Sequence, residues 1–355
     1  MEITALFTTA RTDIGAHDNA SPLFTLSKAT ESTNVTDGKK CLNTMYIYES
    51  SALFQKYSLP YITAVGIPGN ILSFLVWVRP HMLNSSGVYL AALAIDHLSY
   101  LVLYSIYNLE MRWGVRLLSF PGLCEIFTVL YYFFQYMDPL LVSAFSVERY
   151  ISIYHPFKRI KYCTKKKATI FTLVLGVFSA LLSAIQGYFW YYEENTCFIR
   201  SEVLIGGQGS VWQVWAIITE LLSFFIVPMF VLLLNIRLLR YISNKQGQNY
   251  CGSEKQHTAK KSSAHTTLLL YVSYYFILTT LPVSVIYLLQ LYFLSEQDCT
   301  VHLLYTSKII IETIEKTHFA LNFFIYFTTG AMFREETKLL LKINRVQPAD
   351  VYIIP

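Results

Sequence analysis

The chain has 355 residues, of which 54% are hydrophobic, 16% aromatic and only 14% charged, a balance too apolar for a soluble domain of this size. Its net charge of +5 is gathered in short basic stretches beside long apolar runs, which argues against nucleic acid as a partner and for a lipid bilayer.

Seven apolar runs, about 58–79, 86–108, 122–147, 168–190, 211–236, 266–294 and 301–328, are long enough to cross a membrane. The segment 156–167 holds Lys158, Arg159, Lys161, Lys165, Lys166 and Lys167 with no acid, and 237–261 sets six bases against Glu254. The positive-inside rule places these segments and the C-terminus in the cytoplasm and the N-terminus outside the cell. The expectation is an all-α membrane protein: an extracellular tail over 1–54, a seven-helix transmembrane bundle over 55–329, and a cytoplasmic amphipathic eighth helix with a short tail over 330–355.

Residues 1–50 are polar, and disorder is expected up to Cys41. Residues 1–20 lack the basic start and sustained apolar stretch of a cleavable signal, so the first span is expected to act as the insertion signal. Asn19-Ala20-Ser21 and Asn34-Val35-Thr36 are sequons that predict glycosylation of Asn19 and Asn34. Of six cysteines, Cys163 and Cys251 fall in cytoplasmic loops, leaving four outside, the number two disulfides need. Cys124, at the outer end of the third span, is expected to pair with Cys197 in the next outer loop, and Cys41 with Cys299 by elimination.

The first span carries Asn70 in mid-membrane, and Asn84 or Ser85 can cap the second, which holds Asp96 at its centre. The third span runs from Cys124 into Ser146-Val147-Glu148-Arg149-Tyr150, roughly 37 Å along a helix, so a cysteine stands at one membrane face and an acid-base pair at the other. Glu148 is placed to partner Arg149, although a lone arginine snorkelling to the headgroups is the simpler reading of that position. Asp138 lies eleven residues before Arg149, about three turns, on the same side of the helix. The fourth span offers Gly176, Ser179 and Ser183 for close packing, the fifth holds Glu220 and Pro228, and the sixth Thr280-Leu281-Pro282. The seventh carries Lys308, Glu312, Glu315, Lys316 and His318 before Asn322-Phe323-Phe324-Ile325-Tyr326. From Ala331 to Ile343 apolar residues and charges alternate at helical spacing, as in a helix lying on the inner leaflet.

Asn70, Asp96, Cys124, Glu148-Arg149-Tyr150, Pro156, Pro228, Pro282 and Asn322 with Tyr326, in seven spans with an exterior N-terminus, together resemble the rhodopsin-like (class A) G-protein-coupled receptors over roughly residues 55–343. Leu281-Pro282, the run from Asn322 to Tyr326 and Arg79-Pro80-His81-Met82 look most like the invertebrate neuropeptide receptors of the FMRFamide and myosuppressin type. There are departures: Gly176 and Thr280 stand where the family usually has tryptophans, Phe323 replaces a proline, and Ile236 a tyrosine.

The resemblance implies a cell-surface receptor in the plasma membrane, not an enzyme, that passes agonist binding to a heterotrimeric G protein and to arrestin. Glu148, Arg149, Tyr150, Phe157 and Tyr326 would form the coupling switch, with Arg149 paired to Glu148 in the inactive state. Phe157 reads equally as an anchor in the bilayer interface. Asn70, Asp96, Asp138 and Asn322 would share a midplane layer in which two carboxylates must share a cation such as sodium, share a proton, or pair with His318 or Lys316. Alternatively, Asp138 turns toward the distorted turn at Pro139 or is capped by a hydroxyl. Tyr131, Gln135, Glu220, Tyr287, Gln290 and Glu312 are the candidate ligand contacts, and aromatics among carboxylates suit a peptide with aromatic and basic side chains, such as an amidated neuropeptide. The competing reading of Glu312 is mutual neutralisation with Lys308 and Lys316 along one helix face. No cofactor is expected under the peptide reading. Lys316 stands where opsins hold the lysine that binds retinal, so a photoreceptor is the alternative, with Glu193 or Glu194 as substitute counterion. A transporter is less well matched, because no pair of broken helices appears in matching halves.

Overall fold

The computed structural model describes residues 35–118, 120–193, 196–206, 209–248, 256–292 and 299–341, and within them not the side chains of 35–45, 196, 245–248, 256–268, 292 and 299–302. Seven long helices alternate in direction: α1 (Val35–Trp77), α2 (Ser85–Trp113), α3 (Leu123–Tyr154), α4 (Lys165–Phe189), α5 (Val211–Thr219, a π-helical Glu220–Ile226, then Val227–Gln248), α6 (Gln256–Tyr292) and α7 (Cys299–Thr329). A shorter α8 (Ala331–Leu340) follows. Two-turn Pro156–Tyr162 links α3 to α4, and a hairpin of β1 (Trp190–Glu193) and β2 (Thr196–Ile199) links α4 to α5. This is the expected seven-helix bundle with an eighth helix.

The third helix sits at the centre, touching α2, α4, α5 and α6, while α7 packs on α1 and α6. Over the described residues, five of the seven helices are long and apolar enough to cross a membrane. Helices α3 and α7, of 32 and 31 residues, fall short on composition because they carry the polar groups that the bundle buries, among them Asp138, Glu312, Glu315 and Lys316. The apolar core divides in two, one cluster around Tyr100, Tyr131 and Trp190 toward the disulfide end, the other around Leu90, Phe145 and Tyr326 toward Arg149.

Cys124 and Cys197 form a disulfide, with Cα atoms 5.7 Å apart. Cys197 faces Tyr192 across the hairpin, and the Tyr192 amide donates to the Glu125 carboxylate at 3.3 Å, so the hairpin is held to the first turn of α3. The side chains of Cys41 and Cys299 lie outside the described residues, as do Asn19 and Asn34.

Two local expectations change, and one feature of α5 is new. Helix α1 begins at Val35, ahead of Cys41, where disorder is expected; no proline interrupts the chain from Val35 to Ser58. An added Cβ at Gly176 would meet nothing within 4 Å, so this glycine is not a close-packing position; Ser179 and Ser183, both fully buried, are the inward residues of α4, and Gly187 makes the close approach, to Val129. Pro228 has no N–H to offer the Phe224 carbonyl four residues back. There α5 widens into its π-helical turn, and the Ser284 hydroxyl of α6 donates to that carbonyl at 2.8 Å.

The turn before α2 is tight. The Asn84 side chain accepts from the Gly87 amide at 3.0 Å, and an added Cβ at Gly87 would stand 2.1 Å from the Met82 carbonyl oxygen. Gly87→Ala is therefore expected to cost about 1–3 kcal/mol and to lower surface delivery. Gly176→Ala should be neutral or slightly stabilising, since alanine is the better helix former. Thermal unfolding of the two detergent-solubilised variants checks the contrast; equal midpoints would show that the turn yields.

Candidate functional site

At the Arg149 end, successive residues of a helix point about 100° apart, and Glu148 and Arg149 turn to different partners. Glu148 accepts from the Ser85 hydroxyl at 2.5 Å and the Ser86 hydroxyl at 2.8 Å, both at the start of α2. Arg149 donates through Nη2 to the Ser86 oxygen, and its Nε has no partner. The expected direct ion pair is thus replaced by a bridge through one serine, with no Glu148–Arg149 contact within salt-bridge distance among the described residues. Tyr150 stacks on Tyr154 with ring centres 4.5 Å apart, and Tyr154 on Tyr241 at the same spacing, its hydroxyl donating to the Arg237 carbonyl at 2.7 Å. This aromatic column ties α3 to α5. Phe157 is 90% exposed at the head of the linking helix. Tyr326 is buried between Trp77, at 5.4 Å, and Phe333 of α8, at 5.3 Å. Arg79 pairs with Glu336 at 3.4 Å, fastening α8 beneath α1.

Halfway along the bundle, Asn70 donates to the carbonyls of Gly66, at 2.9 Å, and Phe319, at 2.7 Å, and so joins α1 to α7. The Asp138 carboxylate lies between two imidazoles: its Oδ1 is 2.8 Å from His97 Nε2 and 3.4 Å from His318 Nε2. The other His97 nitrogen meets the Asn322 amide nitrogen at 3.1 Å. One continuous polar chain therefore connects α2, α3 and α7. Asp96 is buried beside it with neither carboxylate oxygen hydrogen-bonded, and the Asn322 Oδ1 and His318 Nδ1 also lack partners. His318 was among the expected bases and Lys316 was not needed. His97 escaped the sequence reading, although a histidine next to a midplane aspartate in an apolar helix is itself a signal.

Toward the disulfide end, the Lys316 ammonium donates to Glu315 at 2.9 Å and to the Tyr100 hydroxyl at 2.9 Å, and lies 4.9 Å from the Tyr104 ring centre. Tyr131 shares this cluster, its hydroxyl 3.0 Å from that of Tyr100. Lys308 sits 3.5 Å from Glu312 and over the Tyr287 ring. The charges of α7 are thus neutralised in two separate pairs, with Glu315 taking the place that spacing assigned to Glu312 beside Lys316. With Lys316 so engaged, and Glu193 exposed and bonded to Tyr191, nothing supports the opsin alternative.

Next to the π-helical turn lies a small cavity lined by Gln135, Tyr136, Gln186, Trp212, Glu220 and Tyr287, among others. Glu220 Oε1 accepts from Ser284 at 2.7 Å, whereas Oε2 is buried without a partner. Of the candidate ligand contacts, the structure brings Gln135, Glu220 and Tyr287 to this cavity. Tyr131, Gln290 and Glu312 are buried but do not line it.

Residues 69–326 match the family described as 7 transmembrane receptor (rhodopsin family). The chain is similar to the thyrotropin-releasing hormone receptor of Homo sapiens, with 30% identity over 146 residues, 41% of this chain. That alignment spans 36% of the relative's length. The corresponding receptor of Gallus gallus is 30% identical over 133 residues, 37% of this chain and 32% of its own. A longer match, 26% identical over 301 residues, covers 81% of this chain and 77% of the human C-C chemokine receptor type 4.

The Lys316–Glu315 pair makes a sharp prediction. Lys316→Gln leaves a carboxylate buried without its cation and should cost about 3–5 kcal/mol, whereas Lys316→Gln with Glu315→Gln should recover most of the loss. A double-mutant cycle on thermal unfolding measures this, and simple additivity would mean that the two side chains do not act as a pair.

Proposed function

The chain belongs to the rhodopsin family of seven-transmembrane receptors, and on that premise we propose that it binds a peptide at the disulfide end of the bundle and couples to a heterotrimeric G protein at the Arg149 end. In this reading the N-terminal tail is extracellular and glycosylated at Asn19 and Asn34, and the basic segments 156–167 and 237–261 face the cytoplasm.

The observation that carries the ligand reading is Glu220: a buried carboxylate with one unpartnered oxygen, lining a cavity walled by tyrosines and amides. Such a group calls for a cation; if the cavity, now about water-sized, opens on binding, a guanidinium would meet it bidentately while the aromatic walls take the ligand's apolar side chains. Gln135 and Tyr287 would complete this contact set, with Tyr131, Gln290 and Glu312 forming the surrounding wall. Relatives named for a hormone and for chemokines are consistent with a peptide rather than an amine. The narrower proposal, an amidated neuropeptide of the FMRFamide or myosuppressin type, rests on Leu281-Pro282 and the run from Asn322 to Tyr326.

At the other end, outward movement of α6 about Pro282 would admit the G protein, which would meet Arg149 and the exposed Phe157; arrestin would use the same face. The resting state is held by Ser86, which accepts from Arg149 and donates to Glu148. Hydrogen bonds to charged groups contribute about 1.5–3 kcal/mol, so Ser86→Ala should raise agonist-free signalling about tenfold, and Arg149→Ala should abolish coupling while preserving surface expression. Second-messenger output normalised to surface protein measures both.

The test of the ligand is a peptide screen in cells expressing the receptor, with second-messenger readout. Glu220→Gln should weaken a basic peptide agonist at least about tenfold and leave a truncated agonist without the basic side chain unchanged. Failure of every peptide class, or an unaltered potency in Glu220→Gln, would sink the reading.

A further inference from the structure

We propose that His97, Asp138 and His318 form a binding site for a divalent transition cation of the zinc class, at the junction of α2, α3 and α7. One ligand atom from each of the three lies within 4.8 Å of the others. All three residues are buried, the two histidines completely.

Two of the three ligand separations stand near those of a tetrahedral ion, and the third, between the two imidazole nitrogens, is no more than 4.8 Å and would close around the ion. Zinc–ligand bonds of about 2.0–2.1 Å at tetrahedral angles place ligand atoms about 3.3 Å apart. His318 Nε2 and Asp138 Oδ1 already stand 3.4 Å apart, and His97 Nε2, at 2.8 Å from the same oxygen, needs to open by about half an ångström. Two imidazoles and one carboxylate are a familiar zinc donor set with a fourth position open.

The charge also fits. With neutral imidazoles and both carboxylates ionised, the state that a bound divalent ion would favour, Asp96 and Asp138 would put two negative charges in a region that carries no lysine or arginine in salt-bridge contact with either among the described residues. A divalent ion cancels both; a sodium ion, the cation that two carboxylates alone suggest, cancels one. Sodium favours all-oxygen surroundings, whereas imidazole nitrogen selects zinc, copper, iron or nickel. The histidines therefore change what the two carboxylates would otherwise hold.

For His97 the surroundings supply what a metal-bound histidine needs, while the second nitrogen of His318 has no partner. Such a histidine donates its second nitrogen to an oxygen that fixes its tautomer. The Asn322 amide lies 3.1 Å from His97 Nδ1, and its Oδ1 is unpartnered. Half a turn of that amide presents the oxygen to the Nδ1–H of a metal-bound His97. Asp96, one residue earlier on α2 with both oxygens unpartnered, is the nearest candidate in sequence for the fourth ligand or for a water that occupies it.

The test uses the full-length receptor purified in detergent without chelator. Elemental analysis should find about one equivalent of zinc. After chelator stripping, zinc should raise the unfolding midpoint at concentrations far below those at which sodium acts, because an ion bound only by the folded state stabilises it. Cobalt in place of zinc should give a visible band of tetrahedral intensity. His97→Gln and His318→Gln should each weaken the zinc response by more than the roughly 10–100-fold loss typical of changing a ligand's neighbour. If a variant fails to fold, the cobalt spectrum of the unaltered receptor decides. Stabilisation by sodium but not zinc, absence of the cobalt band, or a zinc response in both variants as strong as that of the unaltered receptor would overturn the proposal. Peptide activation is a separate readout, so this proposal and the ligand reading fail independently.

Discussion

Inside a bilayer there is no water to satisfy a polar group, so each one must find its partner within the protein or hold a ligand that serves instead. This constraint decides how the helices meet. Asn70 joins α1 to α7, Asp138 joins α3 to α2 and α7 through two imidazoles, and Ser284 joins α6 to α5. The apolar surfaces set the spacing, but the polar contacts set which faces of the helices meet, because a rotation of α3 by one residue would part Asp138 from both imidazoles.

The same constraint separates the structure into zones. The disulfide half pairs its charges locally, Lys316 with Glu315 and Lys308 with Glu312, and leaves Glu220 with an open oxygen. The Arg149 half contains few charges, bridged by serines. Between them the midplane holds acids with histidines as their only close bases among the described residues. Each zone thus departs from neutrality in its own way, and each departure marks a place where a second molecule or ion could complete the structure.

Long apolar runs, the turn prolines and the placement of Cys124 made the bundle and its first disulfide readable from the chain alone. Asp138 could be assigned to the inner face by counting turns from Arg149, and His318 followed as one of its candidate partners. What counting turns along one helix could not supply was the pairing between helices. Ser86 intercepts Arg149 because the start of α2 comes close to the end of α3, which no local pattern announces. Glu315 rather than Glu312 takes Lys316 because adjacent residues can meet through long side chains even where helical spacing favours the fourth neighbour. His97 was passed over as a neighbour of Asp96, yet the structure turns it, and not Asp96, to Asp138.

One hydroxyl at the π-helical turn has a consequence of its own. Ser284 lies within donating distance of two acceptors, the Glu220 carboxylate and the Phe224 carbonyl that Pro228 leaves without a donor. A hydroxyl carries a single hydrogen and can serve only one of them at a time. When Glu220 is protonated it donates to the serine oxygen, and the serine hydrogen is released to the carbonyl, so both needs are met in series. When Glu220 is ionised the two oxygens compete, and a carboxylate outbids a peptide carbonyl. A positive charge arriving in the cavity would therefore be felt in the backbone of α5 and at the α5–α6 seam through the reorientation of one O–H bond, a relay that needs no side chain to change its rotamer.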